Sequence, residues 1–569
     1  MAQQLYFSRD TRMFVQFRNP ADNTEAAAKL GLGSIWEIPV LDGYSFSQTT
    51  NTSEITLAEM ESTAGISRRG RRMFTDSLAP AEFSFSSYVR PFKSKAGSPL
   101  PSGSVSADSA AETHAVEEVL WASMFGADTY SSNLFTRATN PAVSGGAVIT
   151  PAAASSVIKV TESNRSALTS VTLYFMIDTA TSNPLVYRLP EAVVNDVSID
   201  FDVDGIATLN WTGFAKEVQD ISGSVHVDTE IPAHDDTTVD GTVMTYGDVF
   251  IDTDNAAGRQ FNLVTNDPSS GSCSVTAAID EATTSTKNFI RNRLTSVSIE
   301  AATGTDKIST IFPGQHATIS AIDVTNEVVT TSTAHGLTTG DQVYITGCTG
   351  NTSLNGTHHF VRVGDETGTY AGTTNATTEF ALFGTKAQAE NLGNATGLVT
   401  IAAGSYNTGT GVVANGKYNL TLTGGSFNIA NNITYLVPEE LGAINKPLEH
   451  VTGTRTANGN ATCYLTLDDA DITSGTSRQF FNDLVSDGAM GKVVNKFKVT
   501  MDIGGATAAT ASSGDAALKI EFPTAHITVP THQVEDVISL ETSFEALPTD
   551  FGTADEITAL TYFPVSDYS

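Results

Sequence analysis

The feature that most constrains this chain is that it says one thing twice. Leu41–Leu57 reads LDGYSFSQTTNTSEITL, and Thr423–Leu436 reads TGGSFNIANNITYL. Each has a small-residue pair, Asp42-Gly43 or Gly424-Gly425, read as a turn that ends a strand. Each continues with Ser-Phe, an Asn/Thr-rich segment and an Ile-Thr strand. A sequence that repeats itself folds as repeated units, so this comes before any local prediction.

Other pieces follow each copy in a fixed order. Thr11–Phe17 matches Asn288–Ala301, and Ser34–Leu41 matches Lys417–Thr423. Ala81–Phe92, in which Phe83 and Phe85 alternate with polar residues, matches Asn460–Leu467. Thr169–Asp178 matches Lys496–Ile503, and LVYRLP at Leu185–Pro190 matches LKIEFP at Leu518–Pro523. Val193–Phe201 and Ile206–Phe214 read as a hairpin about Asp204-Gly205, with Ile527–Val529 and Val537–Ala546 as its counterpart. His114–Phe125 has apolar residues at helical spacing, Thr113 as its cap and Gly126 as its stop, and Ser477–Val485 takes its place in the second copy.

The expected fold is therefore mainly β: two tandem β-sandwich or barrel domains, each with a flanking helix, plus a small inserted β-module. Residues 1–216 form the first domain and 217–287, rich in Thr, Gly and Asp, an acidic connecting arm. Residues 288–313 and 417–569 form the second domain, interrupted at 314–416 by the module. Glu59–Pro80 reads as a long polar loop, and Pro190 as the end of a strand.

Lys and Arg total 31 against 63 Asp and Glu, a formal charge of −32. A protein that coats nucleic acid needs a cationic footprint, which this composition lacks. The three cysteines, Cys273, Cys348 and Cys463, have neither metal spacing nor the density of a disulfide framework. The N-terminal residues lack the basic, apolar and cleavage segments of a signal peptide, so none is expected. The longest apolar run, Val171–Ile177, is far below the roughly 20 residues of a spanning helix.

No catalytic constellation stands out. Asp200, Asp202 and Asp204 begin like a calcium loop, but Trp211 occupies the position of its bidentate acid. Their alternation with Ile199, Phe201 and Val203 makes them the solvent side of a strand. His358 and His359 point to opposite faces of a strand and share no metal. The expectation is no enzyme, no metal and no cofactor. Arg68, Arg69, Arg71 and Arg72 are different, because four arginines within five positions contrast with an acidic chain. They read either as a solvated loop tip or as a dock for carboxylates, which Arg grips bidentately. DNA phosphate is a third possible partner.

These pieces together resemble the tail tube (major tail) proteins of long-tailed siphophages, specifically the tandem-duplicated, trimeric T-five type. DTRMFV at Asp10–Val15, GRRMFTDSLAPAEFSF at Gly70–Phe85 and GGSFNIANNITYLVP at Gly424–Pro438 carry the resemblance. Val493–Phe497, His526–Glu556 and the hairpin at Asp196–Gly213 add to it. The resemblance implies a virion structural protein made in the host cytoplasm, whose trimeric rings have pseudo-sixfold symmetry. The rings would stack into a hollow conduit for genome delivery, through which double-stranded DNA passes without specific binding. Its partners would be further copies of itself, the tape measure protein, the tail terminator and tail-tip proteins, with no membrane insertion. In such a ring, DNA held by Lys or Arg would have to break each phosphate contact to move on, so with a charge of −32 per chain the expectation is a lumen lined mainly by Asp and Glu, with Asp200, Asp202 and Asp204 as candidates. The arginine loop is similar to one that reaches the next ring, where Glu439, Glu440 and Glu449 of the second copy's counterpart loop would meet it. The inserted module has no place in that family's plan, and the expectation puts it on the tube exterior. A tail or surface adhesin with glycan-binding β-modules is the alternative.

Overall fold

The computed structural model describes residues 7–563 apart from the segments 18–34, 56–71, 94–112, 126–145, 152–155, 163–167, 179–183, 229–237, 254–258, 265–270, 279–288, 302–314, 364–374, 439–445, 466–476, 486–496, 505–515 and 549–554, and scattered shorter stretches. The fold is mainly β. In the first part of the chain the strands are β1 (Thr11–Phe17), β2 (Ile35–Ile38), β3 (Ser45–Ser47), β4 (Thr50–Ile55), β5 (Arg72–Leu78), β6 (Ala81–Tyr88), β7 (Pro91–Lys93) and β8 (Thr113–Ala115). Helix α1 (Glu118–Phe125) follows, then β9 (Gly146–Pro151), β10 (Ser156–Glu162), β11 (Val171–Ile177), β12 (Leu185–Asp202), β13 (Thr208–Ala215) and β14 (Gln219–Asp220).

β12 has 18 residues and runs straight through Pro190. The expected strand end is instead a bend. The register against β11 shifts between Val171 and Leu173, and Glu191 adopts φ 53°. A proline without an N–H is tolerated where a bulge already breaks the ladder. The first half of β12 pairs with β11, and β11 with β1 and β1 with β2. The second half of β12 pairs with β13, β13 with β6 and β6 with β3. One long bent strand thus belongs to two sheets that face each other over a shared core.

The second part repeats this. Its strands are β20 (Ser296–Ala301), β29 (Lys417–Leu420), β30 (Leu422–Ala430), β31 (Thr434–Leu436), β32 (Glu449–Val451) and β33 (Thr456–Tyr464). Then come α3 (Ser477–Val485), β34 (Phe497–Ile503), β35 (Ala517–Ile527), β36 (Thr531–Gln533), β37 (Ser539–Ala546) and β38 (Ala559–Phe563). β35 pairs with β34, β34 with β20 and β20 with β29. The end of β35 and β36 pair with β37, β37 with β33 and β33 with β30. The registers run in step: Tyr187 lies opposite Phe175, Met13 and Ile38 in turn, as Ile520 lies opposite Met501, Val297 and Leu420.

Several local expectations are corrected. Gly424-Gly425 lies inside β30 and is not a turn. Arg72–Leu78 of the expected polar loop is strand β5, paired with β4. The first helix starts at Glu118, because Thr113–Ala115 pairs with β7 instead. The stop at Gly126 lies outside the described residues. Asn292–Leu294 is a 3-10 turn, so the β20 strand begins only at Ser296.

The arm at 217–287 is more than short strands. β15 (Val225–Val227), β16 (Thr238–Asp240), β17 (Val249–Asp252), β18 (Gln260–Val264) and β19 (Ser272–Ala277) form one five-stranded sheet. It packs on the outer face of the β2–β1–β11–β12 sheet, where Phe14, Ile35, Tyr174, Met176 and Val186 meet Val225, Val249, Ile251, Phe261 and Leu263. Phe14 and Phe261 stack at 4.1 Å. Arg259 fastens its edge through Asp178 at 2.6 Å. In the second unit the strand positions of Phe14, Tyr174, Met176 and Val186 are held by Ser298, Thr500, Asp502 and Lys519. The repeated backbone therefore carries opposite outer faces, apolar under the arm and polar in the second unit.

Between β20 and β29 the chain leaves for a closed barrel of β21 (Gln315–Asp323), β22 (Val328–Thr331), β23 (Gln342–Thr346), β25 (Thr357–Val363), β26 (Glu379–Phe383) and β28 (Val412–Asn415). A small side pair, β24 (Thr349–Gly350) and β27 (Tyr406–Asn407), and helix α2 (Lys386–Glu390) accompany it. The barrel has its own core of Ile319, Val329, Val343, Ile345, Val361, Phe380 and Leu382. Arg362, buried on the face of β25 away from that core and over the Phe383 ring, donates to the carbonyls of Gln388, Ala389 and Asn391 at the end of α2. Burial pulls the Lys519 ammonium pKa down, but Glu521, Asp502 and the barrel's Glu390 outweigh it and hold it above its ordinary value.

Candidate assembly surface

The two units are joined through strand edges. Asp196–Asp202 of β12 pairs antiparallel with Gly424–Ala430 of β30. The result is one sheet in the order β3–β6–β13–β12–β30–β33–β37–β35, half from each unit.

Gly425 is required at this joint. A Cβ there would come within 2.5 Å of the Asn460 carbonyl and 2.7 Å of the Phe201 ring. Three asparagines close the end of the joint. The Asn431 side-chain amide donates to the Met124 carbonyl of α1 at 2.7 Å, and the Asn431 N–H donates to the Asn195 carbonyl at 2.7 Å. The Asn195 side-chain oxygen accepts from the Ile433 N–H at 2.7 Å. Asn432, at φ 50°, turns the chain, as asparagine tolerates better than most residues. Beyond it, Ile433 and Tyr435 pack on Val193, and the Tyr435 hydroxyl donates to the Glu191 carbonyl at 3.2 Å.

Strict alternation gives this sheet two different faces. Phe83, Phe85, Trp211, Val197, Ile199, Phe427, Ile429 and Phe544 point into the core. The other face carries Ser45, Ser84, Ser86, Asn210, Thr212, Ser198, Ser426, Asn428, Asn460, Thr462 and Ser543, half-buried or exposed. Among them stand the carboxylates Glu82, Asp196, Asp200, Asp202, Glu541 and Glu545, with no Lys or Arg at the outward positions of the stretches of these strands that pair within this sheet. It is therefore a hydroxyl and amide face studded with acids, not one composed mainly of Asp and Glu. Burial raises the Asp196 carboxyl above its ordinary pKa, against a hydrogen bond from Asn428 that lowers it.

Of the expected site residues, Asp200 and Asp202 lie exposed on this face, and Asn210 donates to Asp200 at 3.2 Å. Asp204 is in the β12–β13 turn, 3.7 Å from Arg293, with both side chains exposed. Arg68, Arg69, Arg71, Glu439 and Glu440 lie outside the described residues. Arg72 begins β5 opposite Ile55, and Glu449 begins β32 opposite Leu436. These occupy the same position on two separate hairpins, which do not pair with each other among the described residues. The hairpins also carry exposed apolar residues that the charge pattern did not flag: Met73 and Phe74 on one, Leu436 and Val451 on the other.

Among the described residues no group of three or more His, Cys, Asp or Glu is placed to hold a metal. No helix among them is long and apolar enough to cross a membrane. No family model matches the chain. Over 142 residues it is 32% identical to the tail tube protein pb6 of Escherichia phage T5, an alignment that covers 25% of this chain and 28% of that protein.

Proposed function

We propose that this chain is a structural subunit of a bacteriophage tail tube, without catalytic activity. The observation that carries the proposal is the β12–β30 joint. Two equivalent four-strand sheets continue into one another, and the combined sheet still ends in two edges of the same two kinds, β3 on one side and β35–β36 on the other. A heterologous contact that repeats by rotation closes into a ring. Three chains, each giving two units, make a ring with pseudo-sixfold symmetry, and rings stack into the tail. The similarity to pb6 supports the same reading.

The hydroxyl, amide and acid face then lines the lumen, with Asp200 and Asp202 on the wall and Asp204 at its rim. Double-stranded DNA slides past such a wall because no Lys or Arg there holds a phosphate. The polymer would also meet the tape measure, terminator and tail-tip proteins, and the site of action is the virion. Residues 1–216 and 288–313 with 417–569 are the two tube domains, 217–287 the arm. The 314–416 barrel leaves and re-enters at a hairpin end, where insertions are tolerated, and it occupies the exterior. Arg68, Arg69, Arg71 and Arg72 meet the acidic counterpart hairpin, with Glu439, Glu440 and Glu449, across a ring boundary.

Negative-stain electron microscopy of the purified chain tests this. Hollow tubes or short rings are expected. Dispersed monomers with measurable glycan binding would overturn the proposal in favour of an adhesin.

A further inference from the structure

The β12–β13 hairpin tip of the first unit is covered by the segment that leads into the second. The Ala207 N–H donates to the Ile290 carbonyl at 2.8 Å, Ile206 bridges Arg291, and the Asn292 N–H donates to the Gly205 carbonyl at 3.0 Å. Ile290 is fully buried, and Phe289 lies edge-on to Tyr88 at 5.2 Å beneath Arg90.

The second unit has a corresponding tip, two residues shorter, which no segment covers among the described residues. Ile538 stands where Ala207 does: its carbonyl accepts from Leu465 N–H at 3.0 Å, as the Ala207 carbonyl accepts from Val89 N–H at 3.0 Å. Counting back, Val537 holds the place of Ile206, while Val534 directly follows the paired Gln533 as Phe201 follows the paired Asp200. Val534 at 77% and Val537 at 60% are the most exposed large apolar side chains among the described residues, while Ile538 at 40% matches Ile206 of the first tip at 41%.

The covering segment also has a double. Arg291 precedes the 3-10 turn Asn292–Leu294, which closes by a bond from the Thr295 N–H to the Asn292 carbonyl before β20. Phe7 precedes the 3-10 turn Ser8–Asp10, which closes by the same bond from Thr11 to Ser8 before β1. The strand registers agree, since Arg12 and Ser296 face the equivalent Met176 and Asp502. Phe7 is thus the counterpart of Arg291, and it is 50% exposed. The sequence puts Tyr6 at the position of Ile290.

Among the described residues the matched strap and seat are both left open and do not meet within the chain. We infer that Phe7 of one copy lies across the tip of the next at Val537 and Ile538, with Phe7 bridging Val537. This rests on the ring reading above and adds which surfaces of neighbouring chains meet. An aromatic on a β-branched partner is a favourable cross-strand pair, where the joint inside the chain has Arg291 on Ile206. Exposed apolar side chains at both ends are then covered only on assembly.

The test is a disulfide trap. Bridged residues in antiparallel strands have Cα atoms about 4.5–5.5 Å apart, within disulfide range. Phe7→Cys and Val537→Cys are placed in one chain, and the native cysteines are buried and contribute little background. Mild oxidation of assembled particles should move most chains from the monomer band to a ladder on a non-reducing gel. Phe7→Cys with Val203→Cys should give no ladder. Rings seen by microscopy without a ladder would overturn the strap and leave the tube proposal standing. A bond formed within single chains would overturn it as well. Chains that stay monomeric at every concentration would overturn the tube proposal and the strap with it.

Discussion

Glu117 is fully buried just ahead of α1. The Tyr562 hydroxyl of β38 donates to its Oε1 at 2.7 Å, and the Trp121 indole N–H donates to Tyr562 at 2.7 Å. Burial is the dominant influence and raises its pKa to about 7, against lowering by Tyr562, by backbone groups and by the nearby Arg90. Glu118, buried beside it, and Tyr562 are the other ionisable groups close by. In the unfolded chain the carboxyl titrates near 4.5. The folded form therefore holds the proton more tightly. This group's contribution is fully favourable below 4.5, declines as pH rises through 7 and is flat above that. The span is worth about 3 kcal/mol. Glu117→Gln keeps the oxygen that accepts from Tyr562 and cannot ionise. The variant should match the parent near pH 4.5 and exceed it by about 3 kcal/mol at pH 8.5, roughly 6–12 °C in midpoint for a unit of this size. All three tryptophans, Trp36, Trp121 and Trp211, lie in the first unit, so intrinsic fluorescence reports its unfolding selectively. A difference between variant and parent that stays constant from pH 4.5 to 8.5 would refute the reasoning.

Three further outcomes are expected. Gly425→Val forces a side chain into the Asn460 carbonyl and the Phe201 ring and should cost about 1–3 kcal/mol, read as a lower unfolding midpoint with impaired assembly. Replacing Arg68, Arg69, Arg71 and Arg72 with Ser should leave the protomer folded by circular dichroism and cut tube growth, most visibly at low salt where the parent's ion pairs are least screened; growth matching the parent across a salt series would make the loop an ordinary tip. Deleting 314–416 and joining β20 to β29 by a short turn should leave tubes visible by microscopy, because the barrel has a core separate from that of the sheets.

The wording of the repeat carried much of the fold. Phe46 and Phe427, and Pro190 and Pro523, hold matching places in the two strand frameworks, and period-two alternation in Ala81–Tyr88 set its faces. Misreadings came where tertiary context overrode a local signal. Pro190 reads as a stop, but the bulge at Glu191 makes room for it. Gly424-Gly425 reads as a turn, yet Gly425 exists to let Phe201 and β33 approach. The arm hid its sheet because its apolar residues are sparse and find their partners only on Phe14, Tyr174 and Met176. Of the site, the acids of β12 were visible as one side of a strand. The β12–β30 pairing was not, since strand edges carry no local mark of which distant strand will meet them. Nor were the Val534–Ile538 tip and Phe7, whose significance lies in a comparison of two folded units.

The β12–β30 joint has a kinetic consequence. Within a chain the two edges are tethered, so they meet at a high effective concentration whatever the amount of protein present. Joints between chains must instead overcome the loss of translational and rotational freedom. In the proposed ring the tether would make every second joint unimolecular, which would lower the molecularity of nucleation without strengthening any contact. The threshold for starting a ring can then be set by the weaker inter-chain edges alone. In that proposal subunits would stay dispersed until their concentration crosses it.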